Sequence, residues 1–168
     1  MLMGKTIERK LIVYLYGLLK RMKLTVNEEK SRFVNATTES FDFLGFTFRY
    51  DRDLLGRKRK YWNIIPSKKS ERKMRENIST LLGKIGHASP ETLTQKLNEK
   101  LRGWINYFSI SGISYPQKAK RKIRWYLMEK IYRYYKRKSQ RKCKLYNQGA
   151  FRILVGKYGL IEPRTYSP

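Results

Sequence analysis

Carboxylates are the side chains on which metal-assisted chemistry depends. The 168 residues contain three aspartates, Asp42, Asp51 and Asp53. Nucleotidyl transfer by two metal ions needs carboxylates that converge on ions about 4 Å apart. Asp51 and Asp53 lie two residues apart, so a strand would present both on one face, and they are the only candidate pair. We favour the alternative that they balance the basic side chains around them in a turn, and we predict no metal site.

Other chemically active side chains are too few to build a site. Cys143 is the single cysteine and His87 the single histidine, which excludes a Cys/His zinc site and a disulfide framework. We interpret His87, which follows Gly86 at a predicted helix end, as a solvated or capping residue rather than a general base. No glycine-rich phosphate loop of the Walker type occurs. The sequence therefore predicts no bound cofactor.

Positive charge is the dominant feature of the composition. Lys and Arg number 39 against 13 Asp and Glu, a formal net charge of +26. Nucleic acid is the expected partner for such an excess, since neutralising phosphates releases condensed counterions. Seven Phe, 13 Tyr and three Trp argue against disorder. We predict a folded nucleic-acid-binding protein in the cytoplasm with no membrane partner; a protein whose charge serves only its solubility is the alternative.

The hydrophobic pattern of the first part predicts a helix and then strands. Apolar residues recur three and four apart in an opening amphipathic helix, namely Ile7, Leu11, Tyr14, Leu15, Leu18 and Met22. Residues 24–26 and 33–34 are predicted as short extended pieces. An aromatic-rich strand over residues 40–50 and a second over 61–65, stopped by Pro66, form a β-hairpin around a long basic loop.

From Ser67 onward the period is helical. Ser67 is predicted to cap a first helix, Ser89-Pro90-Glu91 to start a second, and Pro116 to open a third. The apolar stripe of the third is Ile123, Leu127, Ile131 and Tyr134. A short helix and a turn follow within residues 151–163. The predicted fold is α+β, a small hairpin followed by a basic three-helix bundle.

Cations interleaved with aromatic rings suit RNA or single strands, because they can meet phosphates and bases together. We expect Trp125 and Tyr132 either to bind or to complete the core, and Tyr135 to be exposed. The nucleic-acid-binding candidates are Arg57, Lys58, Arg59, Lys60, Lys68, Lys69, Lys118, Lys120, Arg121, Arg124, Lys130, Arg133, Tyr135, Lys136, Arg137, Arg141 and Lys142.

Three segments, in order along the chain, resemble group II intron reverse transcriptases. LTVNEEKS at residues 24–31 and FDFLGF at 41–46 resemble the end of the palm. LNEKLRGWINYF at 97–108 resembles the maturase-specific, or thumb, domain, and YGLIEPR at 158–164 resembles a tail of some members. The resemblance implies a palm remnant over 1–66 and a thumb/maturase-specific domain over 67–168.

The resemblance also implies roles. Lys30 matches the palm lysine proposed to protonate pyrophosphate, and Phe43, Leu44 and Gly45 resemble the primer grip, which holds the primer end. The thumb implies binding of intron RNA and of a template–primer duplex. In the family, which uses Mg²⁺, a Tyr-Ala-Asp-Asp turn precedes the opening helix. Only six residues precede Ile7 here, so we expect no catalysis by this chain alone.

Three functional hypotheses follow. The favoured one is an RNA-binding thumb/maturase part that assists intron splicing. The second is one half of a split RNA-directed DNA polymerase, completed in trans by a separate fingers–palm polypeptide. The third is a general basic nucleic-acid binder.

Overall fold

The computed structural model describes residues 7–27, 31–52, 60–86, 88–139 and 145–168. The chain divides into two compact units, Met1–Asn35 and Ala36–Pro168. The sheet and its neighbouring helices all belong to the second unit. The boundary at residue 66, which separates two parts of the resembled family, stays a prediction.

The first unit contains helix α1, Arg9–Arg21. Lys20 and Arg21 place positive charge in its last turn, where the helix dipole favours cations. None of its residues is buried, and Leu11 and Tyr14 are 44% and 60% exposed. The predicted opening helix is confirmed. Residues 24–26 and 33–34, predicted as short extended pieces, lie in no helix and in no strand of the described sheet.

The second unit begins with an antiparallel sheet of β1 (Phe41–Phe43), β2 (Phe46–Arg52) and β3 (Lys60–Pro66), in that order. Phe43 pairs with Phe46 across a two-residue turn. Both turn residues, Leu44 and Gly45, have positive φ, 48° and 83°, as a type I′ hairpin turn requires. The single strand predicted over residues 40–50 is therefore wrong; it is two strands folded at this turn.

Helices make up most of the rest of the unit's described residues: α2 (Lys68–Lys84), α3 (Pro90–Phe108), α4 (Gln117–Ser139) and α5 (Ala150–Tyr158). The predicted caps are confirmed. Ser67 Oγ accepts a hydrogen bond from the Ser70 amide at 3.2 Å, and Ser89 Oγ accepts one from Thr92 at 3.3 Å. Each cap satisfies an amide that the helix itself leaves unpaired.

One apolar core joins these helices and includes Ile78, Leu93, Leu97, Leu101, Ile105, Ile123, Leu127, Ile131 and Leu154, all 0% exposed. Helix α2 packs against α3 and α4, and α5 also packs against α3 and α4. The mixed α and β class is confirmed, and the three predicted helices share their core with a fourth. No helix in the described ranges is long and apolar enough to cross a bilayer.

Gly45 anchors the sheet to α2. Its carbonyl accepts hydrogen bonds from the Ser67 amide and the Ser70 hydroxyl, both at 2.8 Å. A Cβ at this position would lie 2.9 Å from Ser70 Oγ and 3.4 Å from the Phe108 ring. Only glycine combines this close approach with positive φ at no steric cost. The turn is thereby fixed at the start of α2.

Asn98 of α3 holds the segment that follows α5. Its amide nitrogen donates to the Gly159 carbonyl, and its amide oxygen accepts from the Ile161 amide, both at 2.8 Å. We expect Asn98→Ala to lower the free energy of unfolding by about 1–2 kcal/mol, because the Ile161 amide loses its partner. Urea unfolding measures the loss. Asn98→Asp keeps the acceptor and should cost less; an equal cost would contradict this account.

Candidate nucleic-acid interface

One side of α4 presents cations and aromatic rings to solvent. Residues three, four and seven apart share a helix face, and this side comprises Lys118, Arg121, Trp125, Tyr132 and Lys136, here called the outer stripe. Trp125 and Tyr132 are 61% and 49% exposed. On the opposite side of the helix, Ile123, Leu127 and Ile131 are 0% exposed. Helix α4 therefore presents these cations and aromatic rings to solvent, because its inner side is fixed in the core.

Neighbouring side chains position both exposed rings. The Arg124 guanidinium lies 5.6 Å from the centroid of the Trp125 ring, and it forms an ion pair with Glu162. The hydroxyls of Tyr132 and Tyr146 are hydrogen bonded at 2.9 Å. Rings held in place before binding lose less conformational entropy when a base stacks on them.

Some α4 cations are neutralised within the protein. Lys122 pairs with Glu71 at 3.0 Å, and Arg133 pairs with Glu129 one helical turn earlier. By contrast, Lys118 and Arg121 have no carboxylate partner among the described residues. The positive charge of these two side chains is therefore available to an anionic partner.

A groove lies between the Leu44–Gly45 turn and helices α2 and α3, with a volume of about 400 Å³. We call it the turn–helix groove. Its walls include Leu44, Lys73, Asn77, Lys100, Gly103 and Trp104. The Tyr107 hydroxyl, also in the wall, donates to the Leu44 carbonyl at 2.7 Å and so ties the turn to α3.

Comparison with known protein families gives a match for the segment that contains the outer stripe. The family model of the group II intron, maturase-specific domain matches residues 71–147. Residues 71–147 are therefore similar to group II intron maturase-specific domains. The match confirms the predicted resemblance to the C-terminal part of a group II intron maturase, and it connects the domain to group II intron splicing. Comparison with curated proteins found no match.

The segment 71–147 contains most of the predicted binding residues, and five of them are exposed. Exposed residues are Lys118, Arg121, Arg133, Lys136 and Arg137. Arg124 and Lys130 are half-buried. Lys130 donates to the Ser79 hydroxyl at 3.2 Å and lies 5.3 Å from the centroid of the Tyr126 ring, so it joins α4 to α2.

Two predicted binding residues within residues 71–147 are buried in the protein. Lys120 is 3% exposed, and its ammonium donates to the Tyr166 carbonyl at 3.0 Å. Tyr135, expected to be exposed, is 2% exposed and packs edge-on against Tyr134. Both predictions are corrected, because burial on α4 extends beyond one narrow stripe to the sides that face α5 and the C-terminal segment.

Burial of Lys120 makes stability depend on pH. Desolvation of its ammonium lowers the pKa of Lys120 below the ordinary value of 10.5. Between the lowered pKa and 10.5 the unfolded chain binds more protons than the folded one, so stability rises with pH in this interval. We expect Lys120→Met to reduce that rise in urea-unfolding measurements. The control Lys118→Met, on the exposed side, should retain it; equal reductions would contradict the prediction.

The other predicted residues divide into two groups. Lys60, Lys68 and Lys69 are exposed at the start of β3 and of α2, and Phe43 and Leu44 are exposed at the turn. The remaining predictions lie outside the described residues: Lys30, Arg57, Lys58, Arg59, Arg141 and Lys142.

The aspartates that the structure describes have structural partners. Asp51 pairs with Arg49 at 3.2 Å, and Thr47 donates to Asp42 at 2.6 Å. Asp51 balances a basic neighbour as predicted, but it lies in β2 and not in a turn. Asp53, His87 and Cys143 lie outside the described residues.

The sequence analysis did not select as binding residues the side chains that α2 and α3 contribute to the walls of the turn–helix groove. Lys73 and Asn77 are four apart on α2, and Lys100 and Trp104 are four apart on α3. Spacing of four signals a shared helix face. It cannot show that these two faces meet, so the groove emerges only when α2 packs against α3.

Proposed function

We propose that this protein binds group II intron RNA through the outer stripe of α4 and thereby assists intron splicing. The observation that carries the proposal is that the stripe lies within the segment matched by the maturase-specific family model. Two unpaired cations and two exposed rings on one helix face suit a polyanion with accessible bases. A net charge of +26 adds long-range attraction.

The proposal extends to the resembled reverse transcriptase, of which this chain would form the palm end and the thumb. In that role the Leu44–Gly45 turn would lie at the primer end, and the helices would hold the template–primer duplex. The docking of the turn on α2 and α3 supports this arrangement, since it joins the grip-like hairpin to the helical unit. A cytoplasmic location belongs to the same proposal.

Competition binding tests the proposed function. A group II intron RNA and an unrelated DNA duplex of equal length compete for the full chain over a salt series. We expect the intron RNA to be preferred at every salt concentration, because counterion release is common to both ligands whereas exposed bases are not. Equal affinities would refute intron recognition and support the general basic binder.

One observation favours a second candidate, a polymerase completed in trans. Helix α1 buries none of its residues, and Val13 and Tyr14 are 66% and 60% exposed. An apolar helix face of this kind suits a contact with another polypeptide. Primer extension by this chain mixed with a separate fingers–palm polypeptide tests the idea. Absence of synthesis in the mixture, when each part binds RNA, would end it.

A further inference from the structure

The turn–helix groove has the shape and chemistry of a ligand site separate from the outer stripe. We propose that it receives a single unstacked nucleotide of bound RNA, with the base against Trp104 and the phosphate between Lys73 and Lys100. The inference rests on the proposed function, because it assumes that the chain binds RNA. It adds a second contact, on α2 and α3, that reads an individual base.

The charge of the groove favours an anion. Lys73 stands on the α2 wall and Lys100 on the α3 wall, and both side chains are exposed. No carboxylate lines the groove in the described chain. A phosphodiester entering between the two lysines would therefore meet positive charge from both helices, without a competing acid.

The interior of the groove favours a nucleobase. Trp104, Met74 and Phe108 supply an apolar surface, and Trp104 packs against Phe108 with ring centroids 4.9 Å apart. Asn77 adds an amide that both donates and accepts, which matches the edge of a base. An aromatic surface beside cations accepts an unstacked base, whereas paired bases in a duplex keep their faces covered.

The groove is already formed before any ligand arrives. Its volume of about 400 Å³ lies in the range of small-ligand sites. Hydrogen bonds from Tyr107 to Leu44, and from Ser70 to Gly45, fix the turn that closes one end. A preformed site of this kind needs little ordering on binding.

Gly103 provides a steric test. It lies in the α3 wall, and a Cβ atom added there meets no atom within 4 Å apart from its chain neighbours and the backbone of its own helix. Gly103→Leu should therefore fold, since leucine also favours the helix over glycine, while its side chain occupies the groove. Gly83 of α2 is the matched control: it is also helical, exposed and open to an added side chain, but it does not line the groove.

The experiment uses the full chain carrying Trp62→Phe and Trp125→Phe, so that Trp104 is the only fluorescent tryptophan. A short single-stranded oligoadenylate should quench this fluorescence, and a blunt RNA duplex of equal length should quench it less.

Gly103→Leu should abolish the quenching and weaken oligoadenylate binding about tenfold, as expected for loss of one base–aromatic stack. Gly83→Leu should change neither. Lys100→Gln, which leaves the groove open, should weaken binding at low salt.

Each remaining outcome decides against the proposal. A folded Gly103→Leu variant, checked by circular dichroism, that binds and quenches normally overturns it. Equal quenching by oligoglutamate assigns the groove to acidic peptides and also overturns it. If intron RNA still binds through the outer stripe in these cases, the proposed function stands and only the groove assignment falls. If the unmodified chain ignores RNA, both fall.

Discussion

Replacing Lys118 and Arg121 together by alanine should weaken binding of group II intron RNA about tenfold at low salt. Both side chains lie exposed on the outer stripe and lack carboxylate partners in the described chain. If each contacts one phosphate, the slope of log affinity against log salt should fall by about 2. Filter binding over a salt series measures both quantities. Stability should change little, since neither side chain is buried.

The matched control for this pair is Lys84→Ala with Arg102→Ala, two exposed cations with no carboxylate partner among the described residues. It removes the same two positive charges from exposed positions on α2 and α3, away from the outer stripe. If net charge alone drives binding, both double variants lose equal affinity and the stripe assignment is wrong. A larger loss for the stripe variant assigns the contacts to α4. The pair Arg133 and Arg137 is expected to matter less, because Glu129 already neutralises Arg133.

Leu127→Ala should have the largest effect on stability, lowering the free energy of unfolding by about 3 kcal/mol. Leu127 is 0% exposed at the centre of the inner side of α4, within the core that joins the helices. Truncation removes apolar burial and leaves a cavity that close-packed neighbours fill only in part. Urea unfolding followed by circular dichroism measures the loss.

Trp125→Ala provides the contrast on the same helix. Trp125 is larger than Leu127 but 61% exposed, so its removal should cost less than about 1 kcal/mol of stability, mainly the contact with Arg124. RNA binding should respond in the opposite order, with Trp125→Ala reducing the affinity of the folded protein more than Leu127→Ala does. A reversed order of stability losses would contradict the packing of α4 described above.

Local signals in the sequence predicted much of the fold. Ser67 and Ser89 mark helix starts because a hydroxyl there satisfies an amide only a few residues away. The stripe at Ile123, Leu127 and Ile131 predicts the buried side of α4 because the helical period is fixed. The strand pattern alone missed the turn at Leu44 and Gly45, since Leu44 disfavours positive φ and the alternation of aromatics continues through it. The resemblance to the primer grip, a tight hairpin, implied a turn at these two residues.

Within the candidate site, prediction failed where burial depends on distant segments. Lys120 and Tyr135 look like their exposed basic and aromatic neighbours, and only tertiary packing removes them from solvent. The partner of Lys120 is 46 residues away, at the Tyr166 carbonyl. No periodicity over a short window contains that information.

The sequence by itself determined the positive charge, the helical periods, the caps and the maturase-specific motif, because each depends on residue types or on neighbours along the chain. The tertiary structure decided which cations face solvent, which are neutralised by Glu71 and Glu162, and where a groove opens. Those properties arise when α2, α3, α4 and α5 pack around one core. Burial, pairing and cavities are properties of surfaces that meet in space.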